Sequence, residues 1–156
     1  MPLRRLLKPV IRPLFHAHAR ATRGMTLGVR GLVTDAEGRV LLIEHTYTPG
    51  WHMPGGGVEH GESAEEALSR EMVEEAGVEL TGPPRLISIH ANHALFRGDH
   101  VLFYRIEQWR PCRATSRGEI KAVGWFAPAG LPDETTPNTR RRIAEALEGR
   151  AADLRW

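Results

Sequence analysis

Apolar positions along this chain recur in two rhythms. Leu27, Val29, Leu32 and Val33 give Met25 to Thr34 the character of a strand, and Val40 to Glu44 forms a second. Asp35-Ala-Glu-Gly38 lies between them as a turn, so the pair reads as a hairpin. Trp51 and Met53 alternate with His52 in a short strand that leads into Pro54-Gly-Gly-Gly57. Further strands are expected over Arg85–His90, His100–Gln108 and Glu119–Phe126. Thr136 and Pro137 cap and open a last helix running to about Leu147. Ile143 and Leu147 of that helix face the core, and Arg140-Arg141-Arg142 reads as a solvated face. Strands before, between and after two helices predict an α/β fold with a mixed sheet covered on both sides.

The helical rhythm is clearest after the glycines. Ser63 followed by Glu66 is a capping box, so a helix starts near Ala64. Gly77 stops it, because a left-handed residue past the helix end costs little without a Cβ. At about 100° per residue, Ala64, Ala67, Leu68, Met72 and Ala76 fall on one apolar arc. Glu71 and Glu75 fall inside it, and Glu74 sits at its edge. A solvated face accounts for Glu65 and Glu66 but not for carboxylates aimed at the core. Like charges on a half-buried face are costly unless a cation neutralises them. Clustered carboxylates are hard oxygen ligands that suit Mg2+, with Mn2+ as a substitute. The preceding glycines let backbone carbonyls and amides approach a metal or phosphate closely.

From Gly56 the chain follows G-x5-E-x7-R-E-U-x-E-E-x-G-U, where U is a bulky aliphatic residue. Gly56, Glu62, Arg70-Glu71, Met72, Glu74-Glu75, Gly77 and Val78 fill the defined positions. This pattern resembles the Nudix box of the Nudix (MutT-like) hydrolases. The box spans 23 of the 156 residues. The flanking Trp51-x-Met-Pro-Gly-Gly and Glu119-Ile-x-x-Val-Gly-Trp-Phe stretches are also similar to the family. The resemblance implies a Nudix-type α/β/α sandwich with a mixed β-sheet. It implies a metal-dependent pyrophosphohydrolase that cleaves a nucleoside diphosphate linked to another moiety, such as a nucleoside triphosphate or nucleotide sugar. Carried over by position, Gly56 (through its carbonyl), Glu71, Glu74 and Glu75 are expected metal ligands. Glu71 is also the first candidate to position or deprotonate water. Glu62 and Arg70 are expected to brace loop against helix. Glu119, in a Ser-Arg-Gly-Glu loop, is the candidate base from outside the box, with Glu59 a weaker second. Tyr47, Trp51 and Gly57 are the expected substrate contacts, with Phe96 and Trp125 as other candidates for stacking on a base. The box is blind to the second moiety of the substrate. An RNA 5'-end pyrophosphohydrolase and a non-catalytic nucleotide-binding regulatory module are the alternatives.

Charge and composition change this picture at the ends. Residues 1–24 form a basic, amphipathic arm; residues 25–150 are read as the Nudix domain and 151–156 as a tail. From Met1 to Thr34 there are seven basic residues and no acid, against 14 basic and 19 acidic in the remainder. The arm can lie on an anionic membrane surface, contact nucleic acid, or pack on the domain or on a second subunit, so a homodimer is open. A net charge of +2 does not by itself imply nucleic acid. With one cysteine, Cys112, no internal disulfide can form, which points to a reducing compartment and a cytoplasmic location. No run reaches the roughly 18 apolar residues of a membrane span. Among the eight histidines none is spaced as a helical metal pair, and His52, His60, His90 and His93 are expected near the site.

Overall fold

The structure, a computed structural model, describes residues 24–94, 97–116 and 118–156. Strand β1 (Thr26–Val33) pairs in parallel with β6 (Asp99–Ile106), and β6 pairs antiparallel with β5 (Arg85–Ala91). A second sheet has β2 (Val40–His45) at its centre, between β3 (Trp51–His52) and β8 (Ile120–Phe126). Strands β4 (Val78–Leu80) and β7 (Trp109–Pro111) form a small ribbon.

Neighbouring residues of β1 and β2 point to opposite faces, and both faces are buried. Val29, Val33 and Leu41 join Ala67, Leu68 and Met72 in one core cluster. Leu32, Val40 and Leu42 join Met53, Phe103 and Ile143 in the other. The first cluster lies under helix α1 (Ala64–Glu71) and the second under helix α2 (Pro137–Glu148). This is the expected α/β/α layering, with apolar strands buried on both sides.

The expected β1–β2 hairpin is only half formed. Its turn exists: Gly38 N–H donates to Asp35 O at 3.1 Å, and Thr34 bridges Val40. Beyond the turn the strands part into separate sheets. The glycine segment occupies the edge of β1 that a hairpin partner would use. Val29 N–H donates to Gly56 O at 2.9 Å, Gly31 N–H to Pro54 O at 3.0 Å, and Val58 N–H to Leu27 O at 2.8 Å. The backbone donors and acceptors of β1 are thus satisfied by the loop that will build the site.

Helix α1 begins as expected, with Ser63 accepting from Glu66 N–H and Glu66 reaching back to Ser63 N–H. It then changes pitch: Met72–Ala76 is a π-helical turn closed by Gly77 at φ 64°. Arg142 of α2 departs from the expected solvated face, because its side chain is fully buried. It reaches His90 and Glu145 and lies 5.7 Å from the Trp156 ring. The 151–156 segment runs beside β5: Ala91 N–H donates to Leu154 O and Trp156 N–H to Ala91 O. Trp156 then packs against the α2-side core. The basic arm (residues 1–23 of it) and Phe96 lie outside the described residues. Among the described residues, no helix is long and apolar enough to cross a membrane.

Candidate active site

Where the glycine segment crosses β1, a cleft of about 640 Å³ opens. Its lining includes Arg30, His45, Tyr47, His52, Gly56 and Gly57, together with Asn92, Asp99, Asn138 and Trp156, but not Glu71, Glu74 or Glu75. Two glycines let the segment lie this close to β1 and to the helix. Gly55 has φ 140°, and a Cβ there would stand 2.1 Å from Val29 O. A Cβ on Gly56 would stand 2.3 Å from Glu71 Oε1. Only a backbone without side chains can lie between β1 and the acidic face of the helix.

Glu75 is buried, with 7% of its surface exposed, and its Oε2 accepts the Gly55 N–H at 2.8 Å. Its Oε1 stands 3.7 Å from His45 Nε2. Burial pushes the Glu75 carboxyl up to about 7; the Gly55 amide and Arg30 pull it down, while Glu71 and Glu119 push it further up. Glu71 also turns inward, against Gly56, but its Oε1 takes a 2.7 Å bond from Arg70 Nη1. Glu74 stays at the rim, 3.5 Å from the same nitrogen and 42% exposed at its side chain. The π turn places both Met72 and Glu75 among the buried residues, a local widening often found at functional sites.

Arg70 is the hub of this corner. Its Nε and Nη2 hold the two oxygens of Glu62 at 2.9 and 3.1 Å, and Nη2 also reaches Gly57 O at 3.1 Å. That fork draws the Glu62 carboxyl below its usual range and raises Arg70. Arg70 therefore fastens the glycine segment to the helix.

Of the other expected site residues, Tyr47 lines the cleft, largely exposed, with its ring 5.0 Å from His45. Gly57 lines it as well. Glu119 is exposed and outside the lining, yet its charge acts on Glu75, His45 and Tyr47. Glu59 is exposed, and its N–H donates to Glu62. Trp51 turns away from the cleft and packs edge-on against Phe126 at 4.8 Å. Trp125 stacks on Trp109 in the core. His52 lines the cleft, whereas His90 is fully buried and engaged by Ser88 and Asp153.

Two cleft residues escaped the sequence reading, Arg30 and His45. Arg30 carried a signal, being a lone charge inside the apolar run Val29–Val33. His45 carried none, since a histidine at a strand end is commonplace. Burial first, then the Arg30 charge, lowers the pKa of His45, and burial does the same to His52, so both rings are neutral near pH 7.

Among the described residues no three His, Cys, Asp or Glu side chains already converge as a metal site. The donor set nevertheless fits a divalent cation. Glu75 and Glu71 are hard oxygen donors turned inward beside a backbone cradle that a Cβ would fill. Burial, Glu71 and Glu119 together push the Glu75 carboxyl up against the pull of the Gly55 amide and Arg30, and a cation would favour its charged form. A cation held by Glu71 and Glu74 as well would have to draw Glu71 off Arg70 and bring Glu74 in from the rim.

Comparison with known proteins places this arrangement in a family. The NUDIX domain profile matches residues 24–147. A Bacillus subtilis (strain 168) protein provisionally named an 8-oxo-dGTP diphosphatase is 31% identical over 125 residues, covering 80% of this chain and 81% of its own. A MutT-like protein of Streptomyces ambofaciens is 28% identical over 130 residues, covering 83% of this chain and 82% of its own. Among solved structures, a MutT NUDIX hydrolase from Burkholderia pseudomallei superposes with a TM-score of 0.65 at 29% identity, covering 76% of this chain and 95% of that one. The box residues, the layered fold and these relatives agree, and the chain belongs to the Nudix family as a hydrolase of phosphoanhydrides.

Proposed function

We propose that this Nudix hydrolase is a divalent-metal-dependent pyrophosphohydrolase of nucleotide substrates, with nucleoside triphosphates the first class and nucleotide sugars the second. The observation that carries the reading is the pair Glu71 and Glu75, both turned inward against the Gly55-Gly56 backbone, whose Gly56 lines the cleft. Glu71, Glu74, Glu75 and the Gly56 carbonyl are the proposed ligands of Mg2+, or of Mn2+ in its place. When bound, the metal supplies positive charge against the phosphate oxygens and lowers the repulsion that protects the anhydride from water.

The chain's own groups do the rest. Glu71 orients the attacking water or takes its proton, and Glu119 is the second candidate for that role. Arg70 and Glu62 keep the glycine segment in register with the helix. Tyr47 and Gly57 form the substrate side of the opening. The relative named for 8-oxo-dGTP favours a nucleoside triphosphate, and a cleft of about 640 Å³ has room for a nucleoside.

The test is a hydrolysis screen over nucleoside triphosphates, nucleotide sugars and triphosphorylated RNA, with Mg2+ and with Mn2+, identifying both products. Glu71→Gln and Glu75→Gln are each expected to lower turnover by about 10²-fold or more, the scale of losing a preorganised charge. Full activity in both variants would defeat the assignment.

A further inference from the structure

Among the described residues Arg30 has no hydrogen-bond or ion-pair partner. It projects from β1 into the cleft, and its Nη1 is shut off from solvent with nothing to donate to. Among the described residues it is the one arginine that combines a buried, unbonded nitrogen with the absence of any ion pair. Arg142 and Arg105 also carry an unbonded Nε, but each has a carboxylate within 3.3 Å.

The two carboxylates whose charges act most on Arg30 each give one oxygen to another donor. Glu75 gives Oε2 to the Gly55 amide and turns Oε1 toward His45, and Glu71 gives Oε1 to Arg70. A second nitrogen in the same cleft, His45 Nδ1, is likewise buried and without a partner. A buried cationic donor left unmade is expensive, and a simple charge balance for Glu75 would be better served by direct contact. The arrangement suits an anion that arrives with the substrate. A guanidinium offers parallel N–H donors that match two oxygens of one phosphate.

We propose that Arg30 is a substrate-binding residue whose guanidinium holds a phosphate group of the diphosphate where β1 lines the cleft. The assignment rests on the pyrophosphohydrolase reading above. The site would then divide its charge: Glu71 and Glu75, behind the glycine segment, for cations, and Arg30 with the neutral His45, on the cleft lining, for phosphoryl oxygens.

The experiment uses the full chain and two variants, Arg30→Gln and Arg30→Lys. Binding of inorganic pyrophosphate is measured by calorimetry in EDTA, alongside kcat/KM on the best nucleotide and the Tm of each protein. Arg30→Gln is expected to weaken pyrophosphate binding at least tenfold and to lower kcat/KM about 10²-fold, the scale of removing one preorganised donor. Its Tm should hold or rise, because an unpartnered buried charge has gone. Arg30→Lys should recover part of both losses, since it restores the charge without the fork. Wild-type pyrophosphate affinity in Arg30→Gln overturns the proposal. So does a joint loss of affinity and Tm in both variants, which would make Arg30 a structural residue. A wild-type protein that binds pyrophosphate through Arg30 yet cleaves no nucleotide would instead defeat the functional reading and leave this one standing.

Discussion

At the residue scale, helix geometry told the direction of a side chain but not its company. The arc drawn at 100° per residue turned Glu71 and Glu75 inward, and both do turn inward. It could not show that Arg70 wraps back onto Glu71, because an adjacent residue normally points away and only the long guanidinium stem makes the contact. Arg142 was misjudged for the same reason. Three consecutive arginines look alike in sequence, yet they separate around the helix: Arg140 caps the carbonyls of Thr135 and Pro132, Arg141 meets solvent, and Arg142 enters the core to meet β5 and Trp156. The partners that make burial tolerable lie on elements far along the chain. Gly56 gives the sharpest residue-scale prediction. In Gly56→Ala the new methyl would stand 2.3 Å from Glu71 Oε1, so the flexible end of Glu71 must move. The fold should survive, with an unchanged circular dichroism spectrum. Steady-state kcat should drop by roughly 10²-fold, as displacing one reacting group by about 1 Å can cost.

At the element scale, ends were legible and neighbours were not. The start of α1 was written in Ser63 and Glu66, and its stop in Gly77, because capping is chemistry between residues three or four apart. Removing the cap in Ser63→Ala frees the Glu66 amide and should destabilise the protein by about 1 kcal/mol in urea unfolding. The π turn left no trace in the pattern, since periodicity is read by assuming 3.6 residues per turn. Strands β4 and β7 were missed because three residues are too few to show alternation. The β1–β2 hairpin failed for another reason. Alternation says which face is buried, not which strand lies alongside, and β1 found β6 in parallel some seventy residues on and the glycine segment at its other edge. Of the site, the box residues could be named from local spacing. Arg30 and His45 could be placed only once two sheets had been brought together around the glycine segment.

At the scale of the whole molecule, the family match begins at residue 24, after most of the basic arm. Deleting residues 1–22 should therefore leave kcat/KM on small nucleotides near wild type. Any loss should be confined to RNA or anionic vesicles, read by a binding assay on each; unchanged binding to both would retire a role for the arm there. The other global property is acid sensitivity, and its sign follows from three histidines. Burial lowers the pKa of His45, His52 and His90 in the folded protein, with Arg142 adding to the effect on His90. Around His90, Asp153 O accepts from Nδ1–H and Nε2 faces Ser88 Oγ at 2.7 Å, while Arg142 Nη1 lies against both ring nitrogens and nearer Nδ1. Protonation would set two cationic groups against each other inside the core, with Glu145 and Asp153 offsetting only part of the cost. The unfolded chain takes up protons near pH 6.5, where the folded protein does not. Stability from these rings is complete above that pH and falls as pH drops through the lower folded values. Glu75 acts in the opposite sense: its carboxyl, raised to about 7, adds stability at low pH that is lost as pH rises through that value. A comparison with His90→Gln leaves Glu75 in place and isolates one ring. Between pH 7.5 and 5.5, urea unfolding should show the wild type losing stability faster than the variant, by at most about 1.4 kcal/mol per pH unit, the slope of one proton. Parallel curves would mean that folding leaves the His90 pKa unshifted, so that burial and the Arg142 guanidinium do not oppose its protonation.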